Sequence, residues 1–159
     1  MRTIDETTAA ILEPPKGMLV VDEYAEALVG AGRAHRFTEA VLHTEGLSDY
    51  VSSVLLTPEA FAALRPSGSR PLIGVRMTTP EISLAHLAGR GASFAEWREN
   101  LSPLDVPLGS VHIGAETLAR GAAAAQKAGI LPVLTVAIDR KSTRQNSSHL
   151  SESRMPSSA

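Results

Sequence analysis

Short apolar runs rich in β-branched residues alternate along this chain with stretches whose apolar positions recur every three or four residues. The runs "GMLVVDEY" (17–24), "YVSSVLLT" (50–57), "PLIGVRMT" (71–78), "SFAEWREN" (93–100) and "GILPVLTVAI" (129–138) read as five strands, the fourth more polar and the fifth the most apolar. Near-continuous hydrophobic strands are expected where helices cover both faces of a parallel sheet.

The segments between them read as helices. Thr57-Pro58-Glu59 opens "TPEAFAALR" with an N-cap hydroxyl and a proline at the first helical position. In "PEISLAHLAG", Ile82, Leu84, Leu87 and Ala88 fall on one stripe, and Gly89 is expected to stop the helix. "GAETLARGAAAAQKAG" is rich in good helix formers, with Gly129 closing it before the fifth strand. Residues 33–44 and 3–12 are further helix candidates. Strand–helix alternation of this kind implies right-handed βαβ units, and therefore an α/β fold.

Past Ile138 the periodicity stops. The stretch "DRKSTRQNSSHLSESRMPSSA" holds seven serines in twenty-one residues and only scattered apolar positions. Such a segment cannot bury enough surface to offset its ordering entropy, so residues 139–159 are expected to be disordered and to carry no function. They also resemble translated sequencing-adapter read-through, which implies that the true continuation of the 1–138 unit is missing.

Composition narrows the class. The chain has 159 residues, a formal net charge of -2, 43% hydrophobic residues and 20% charged, the profile of one soluble domain or part of one. Near-neutral charge gives no reason to expect a nucleic acid or an anionic membrane as partner. With no cysteine there is no disulfide, no thiolate metal site and no cysteine nucleophile, which fits a reducing cytoplasm. The N-terminus carries Asp5, Glu6 and Glu13 without an uninterrupted apolar core, so it does not read as a signal peptide. No apolar run approaches the roughly 20 residues that span a bilayer.

Chemistry in parallel α/β folds sits at the C-terminal ends of strands. Those ends offer Asp22, Glu23, Arg76, Thr78, Glu96, Arg98 and Thr135. Two arginines beside carboxylates suit an anionic ligand, with phosphate the usual match for a guanidinium fork. They equally suit solvated strand ends paired by salt bridges, and the residues alone leave both readings open. The segment "GASFAEWREN" (91–100) poses the question most sharply, because Glu96, Trp97 and Arg98 are adjacent. His35, His43, His86, His112 and His149 lack close metal-ligand spacing, so no metal is expected. No glycine-rich dinucleotide loop, P-loop or serine-hydrolase elbow occurs, and "GRGAS" (89–93) reads as a helix stop and turn.

Together these segments resemble class I fructose-bisphosphate aldolases. "TAAILEPPKGMLVVDEY" is similar to the family's opening helix, Gly-Lys-Gly turn and acidic first strand, with Pro15 in place of the first glycine. "VLHTEGLSDYVSSVLLTPEAF" resembles the approach to its second strand. "GASFAEWREN" resembles its Gly-Ala-x-Phe-Ala-Lys-Trp-Arg fourth strand, and "GAETLARGAAAAQKAGILPVLTVAI" its Asn-Ala-x-x-Leu-Ala-Arg-Tyr-Ala helix and fifth strand. The likeness runs in order from about residue 7 to residue 138.

The resemblance implies a partial (β/α)8 TIM barrel holding about the first five β/α units, since a full barrel takes about 250 residues. It implies cytoplasmic, glycolytic cleavage of fructose 1,6-bisphosphate through a lysine Schiff base, without a cofactor. The partner would be a phosphorylated sugar bound by the full-length parent, in a family that is often homo-oligomeric. Asp22 matches the family's acidic residue for proton transfer, and Arg98 and Arg76 match phosphate-binding positions, Arg76 standing where the family has lysine. Glu96 replaces the strand-four lysine, and Thr135, Val136 and Ala137 stand where the family ends strand five with Glu-Pro-Glu.

A Schiff-base lysine must be neutral, which nearby cations and desolvation achieve, and the intermediates need carboxylates within reach. Only Lys16, Lys127 and Lys141 occur, against twelve arginines, and none falls at a strand's C-terminal end. The expectation is therefore an aldolase-type half-barrel without cleavage activity of its own. A non-catalytic phosphosugar-binding or regulatory pseudo-aldolase is the alternative, and an unrelated barrel with another anionic ligand is a third.

Overall fold

Thr3 caps the first helix. Its hydroxyl accepts from the Glu6 N–H at 3.2 Å, while Glu6 Oε2 accepts from the Thr3 N–H at 2.8 Å. This reciprocal box satisfies two donors at the start of α1 (Ile4–Ile11). The computed structural model describes residues 2–21, 31–64, 71–77, 83–101 and 108–138. After α1 come β1 (Gly17–Val21), α2 (Ala31–Leu42), α3 (Leu47–Tyr50), β2 (Val51–Leu56) and α4 (Pro58–Ala63). Then follow β3 (Leu72–Arg76), α5 (Leu84–Gly89), β4 (Phe94–Leu101), α6 (Leu108–Lys127) and β5 (Leu131–Ile138).

The strands form one parallel sheet in chain order, β1 to β5, curled into a half-barrel with helices alongside. The α/β class and the five strand positions expected from the apolar runs are found. The expectations for residues 22–24, 78, 80–82 and 139–159 lie outside the described residues. Ser52 Oγ donates to the carbonyls of Ile11 at 2.8 Å and Gly17 at 3.3 Å, tying β2 to the end of α1 and the start of β1.

Helix ends follow the local chemistry. Thr57 Oγ1 accepts from the Ala60 N–H at 3.2 Å, with Pro58 at the first helical position, as the sequence predicts. α5 ends at Gly89, where the sequence places its stop, and the Arg90 N–H reaches back to the carbonyls of His86 and Leu87. The chain turns two residues later at Gly91, whose φ of 93° is open to glycine and strained for other residues. The Arg90 side chain caps a different helix, its Nη2 donating to the carbonyls of Ala62 at 3.1 Å and Leu64 at 3.2 Å at the end of α4. Its guanidinium lies 5.3 Å from the centre of the Phe61 ring, so the same group also covers an aromatic face.

Side chains alternate across the sheet. Val54, Leu56, Val75 and Ala95 point to the helical layer and meet Phe61, Leu64, Leu87, Ala125 and Ile130 there. Each fully buried large apolar side chain in such a layer stabilises by about 1.5–3 kcal/mol. The opposite, inward face carries Leu55, Gly74 and Phe94, which pair in register. Phe94 is fully buried, and its ring lies so close over Gly74 that a Cβ there would come within 2.0 Å of it. On the outer side a Cβ on Gly121 of α6 would come within 2.6 Å of the Trp97 ring. Glycine at these two positions sets how closely β4 packs on each face.

Large apolar side chains are exposed on the outermost strands. Met18 and Val20 share the inward face with Ser53 and Leu55, whereas Leu134 and Val136 share the outer face with Trp97 and Glu99.

Gly74→Ala should lower stability by about 1–3 kcal/mol, because the buried Phe94 ring occupies the space that the added Cβ needs. Urea denaturation followed by circular dichroism checks this; an unchanged midpoint would show that the ring can move.

Candidate functional site

Parallel pairing decides which polar residues meet. Arg76 of β3 is in register with Glu96 of β4, and Arg98 of β4 with Thr135 of β5. All four lie on the inward face, beyond Phe94 toward the C-terminal ends of the strands, where the sequence pattern places the chemistry. Glu96 is only 6% exposed, yet it is not isolated. Its Oε2 accepts from Arg76 Nε at 2.8 Å, and its Oε1 accepts from the Thr135 hydroxyl at 2.8 Å. Both hydrogen bonds are charge-assisted, the class worth roughly twice a neutral one.

This arrangement replaces the two readings that the residues alone left open for Glu96. The ion pair exists, but it is a buried cross-strand bridge rather than a solvated strand end. Removing a carboxylate from water costs several kcal/mol, which only good geometry and additional donors offset. Here Arg76 supplies the opposite charge and Thr135 satisfies the second oxygen. Glu96 thus meets any incoming ligand already paired with Arg76, not as an unopposed negative charge.

Arg98 stands two residues further along β4 on the same face, and it is exposed. Asn100, two residues beyond, is exposed as well. The network therefore presents a buried ion pair with a solvent-facing guanidinium above it. Asp22, Glu23 and Thr78 lie outside the described residues, so the structure does not test their roles.

Trp97 faces the other way, joining the helical layer. With Met77, Leu84, Thr117, Arg120, Gly121 and Ala124 it lines a cavity of about 340 Å³ between the sheet and α6. Glu99 also points outward, its carboxylate 3.5 Å from where a Gly114 Cβ would sit. Within "FAEWR" the polar inward residues are Glu96 and Arg98, and the tryptophan is a packing residue.

Sequence reasoning missed two features of the inward face. One is the donor role of Thr135, which depends on a pairing between β4 and β5 that no local pattern shows. The other is Ser53, fully buried on β2, whose hydroxyl has no hydrogen-bond partner among the described residues. Its signal was a hydroxyl at an alternate position within an apolar strand. A buried polar group without a partner costs about 1–3 kcal/mol.

Among the described residues, no group of three His, Asp or Glu side chains is placed to hold a metal ion. No helix there is long and apolar enough to cross a membrane. Lys16 precedes β1 and pairs with Glu13 at 3.3 Å, and Lys127 ends α6. Neither stands at the C-terminal end of a strand.

No family model and no curated protein matches the chain. Among solved structures it is similar to fructose-bisphosphate aldolase from Plasmodium falciparum, determined in complex with TRAP and a small-molecule inhibitor. The TM-score is 0.68 at 19% sequence identity, and the match covers 85% of this chain and 51% of the aldolase chain. The likeness shows an aldolase-like fold, of which this chain spans about half the length of the solved protein.

Removing one member of the buried bridge should cost more than removing both charges. Arg76→Met leaves Glu96 without its countercharge and should destabilise by about 3–5 kcal/mol, while the Arg76→Met, Glu96→Met double variant should lose less. Thr135→Val should cost about 1–3 kcal/mol by leaving one carboxylate oxygen unpaired. A double-mutant cycle on denaturation free energies measures all three, and strict additivity would contradict the bridge.

Proposed function

We propose that this chain is the N-terminal half of a class I fructose-bisphosphate aldolase-type barrel, and that by itself it binds a phosphorylated sugar without cleaving it. In this reading Arg98 is the principal phosphate contact, Arg76 supports it from the neighbouring strand, and Asp22, which follows β1 in the sequence, is the proton-transfer carboxylate. The aldolase-like fold and the ordered run of motifs support the family, and the placement of both arginines on the inward face supports the ligand class.

One observation carries the view that the chain alone is inactive: Glu96 fills the inward position of β4 where this chemistry calls for a cation, and it is bound to Arg76 and Thr135. A carboxylate with both oxygens engaged cannot take the place of an amine. Carbon–carbon cleavage through a Schiff base needs a neutral lysine that adds to the substrate carbonyl and expels water. Lys16 and Lys127 stand away from the strand ends where that addition would occur. Among the described residues, a phosphosugar at this face would find a guanidinium for its phosphate and no lysine for its carbonyl.

The same pair favours a second reading, a pseudo-aldolase in which the whole barrel binds or senses a phosphosugar. The two readings separate on the natural sequence beyond Ile138: a lysine at the end of a sixth or seventh strand makes the parent a lyase, and its absence makes it a binding protein.

The chain should show no cleavage of fructose 1,6-bisphosphate in a coupled assay. It should also form no adduct with dihydroxyacetone phosphate on borohydride reduction. Calorimetric titration should detect phosphosugar binding that Arg98→Ala weakens about tenfold or more, the loss expected for one charge-assisted contact. Turnover or a trapped adduct would overturn the inactivity, and equal binding by Arg98→Ala would remove Arg98 from the site.

A further inference from the structure

We propose that Asn100 reads a hydroxyl of the ligand whose phosphate Arg98 holds, so that the inward face selects a sugar phosphate over inorganic phosphate. This rests on the phosphosugar reading above and adds to it the residue that recognises the sugar.

Alternation along β4 puts Glu96, Arg98 and Asn100 in one column on the inward face. The column opens toward the C-terminal end of the strand, for Glu96 is buried while Arg98 and Asn100 are exposed. Its deepest member is already held by Arg76 and Thr135. A ligand entering from the open end therefore meets Asn100 and Arg98. Two residues of a strand advance about 6.6 Å, a separation that a sugar phosphate spans between its phosphoryl group and the hydroxyls of its carbon chain.

The two side chains divide the chemistry between them. Asn100 is in register with Ala137 of β5, whose side chain is a single methyl group, and the amide stays exposed. Asparagine is disfavoured within strands, and an exposed side chain recovers none of that cost through packing. Its amide offers two N–H donors and a carbonyl acceptor, which match hydroxyls that both donate and accept. It carries no charge, so the attraction of the phosphate itself falls to the Arg98 guanidinium. Losing the amide should therefore affect the sugar and spare the phosphate.

The test compares the dissociation constants of fructose 1-phosphate and inorganic phosphate, measured by NMR titration of the full chain. The unaltered chain should bind fructose 1-phosphate more tightly. Asn100→Ala should weaken that binding about threefold to tenfold, the loss of one neutral hydrogen bond, and change inorganic phosphate binding by less than about twofold. Asn100→Val, which has no polar group and suits a strand, should show the same selective loss. Arg98→Ala should weaken both anions. Circular dichroism identifies the folded variants, and either Asn100 variant that folds decides the matter. Equal weakening of both anions overturns the proposal, because Asn100 would then support the phosphate site as a whole. Unchanged binding of fructose 1-phosphate overturns it too, and both of these results leave the phosphosugar reading standing. Failure of the unaltered chain to bind fructose 1-phosphate overturns the two together.

Discussion

A carboxylate taken out of water needs donors inside the protein to replace its hydration, and Glu96 finds one on each flanking strand. That requirement ties three strands together. Arg76 reaches Glu96 because β3 and β4 pair in parallel with those residues in register, and Thr135 reaches it from β5 because the curled sheet brings a residue two steps further along within hydrogen-bond distance. A slip of one residue in either pairing would turn a partner to the helical face and leave the buried charge uncompensated. The bridge is thus both a consequence of the sheet register and a reason that it is held. Phe94 over Gly74 works the same way one layer below, since only a β3 residue without a side chain admits the ring.

Much of the fold was legible because it depends on local pattern. Five apolar runs marked five strands, and Thr57-Pro58 marked the start of α4 because capping is written into adjacent residues. Gly129 marked the end of α6 for the same reason, its φ of 73° closing the turn into β5. The site was legible only in part. Alternation alone put Glu96 and Arg98 on one face and Trp97 on the other. The partners of Glu96 could not be read, because they lie 20 and 39 residues away in sequence and meet only through register. The same limit hid Arg90, which looked like part of a turn and in fact caps α4 across 26 and 28 residues.

The sheet also shows what half a barrel lacks. Met18 and Val20 on β1 face inward and are exposed, and Leu134 and Val136 on β5 face outward and are exposed. These are the outermost strands of the sheet, and in a closed barrel neither would be an edge. The apolar character of both strands therefore fits a role as internal strands more than as edges. Natural edge strands are usually blunted with charges or proline, and β1 carries neither. Pro132 near the start of β5 is the one such residue on these two strands.

The departures at positions 96 and 135 are best understood as one coupled change. In the pattern the sequence resembles, lysine stands at 96 and the fifth strand ends in carboxylates, so a cation faces anions across the β4–β5 boundary. Here a carboxylate occupies 96, and its oxygen lies 2.8 Å from the side-chain oxygen of residue 135. A glutamate at 135 would bring a second carboxylate close to the first, and two like charges at that range cannot both stay ionised without a large cost. A hydroxyl donor removes the conflict and satisfies the buried oxygen. Arg76 then neutralises what remains. The inward positions 76, 96 and 98 hold two cations and one anion, with no carboxylate at 135 or 137, whereas the resembled pattern sets three cations against two carboxylates. The excess of one positive charge is the same. What the exchange replaces is an amine on β4 by a carboxylate that both neighbouring strands hold.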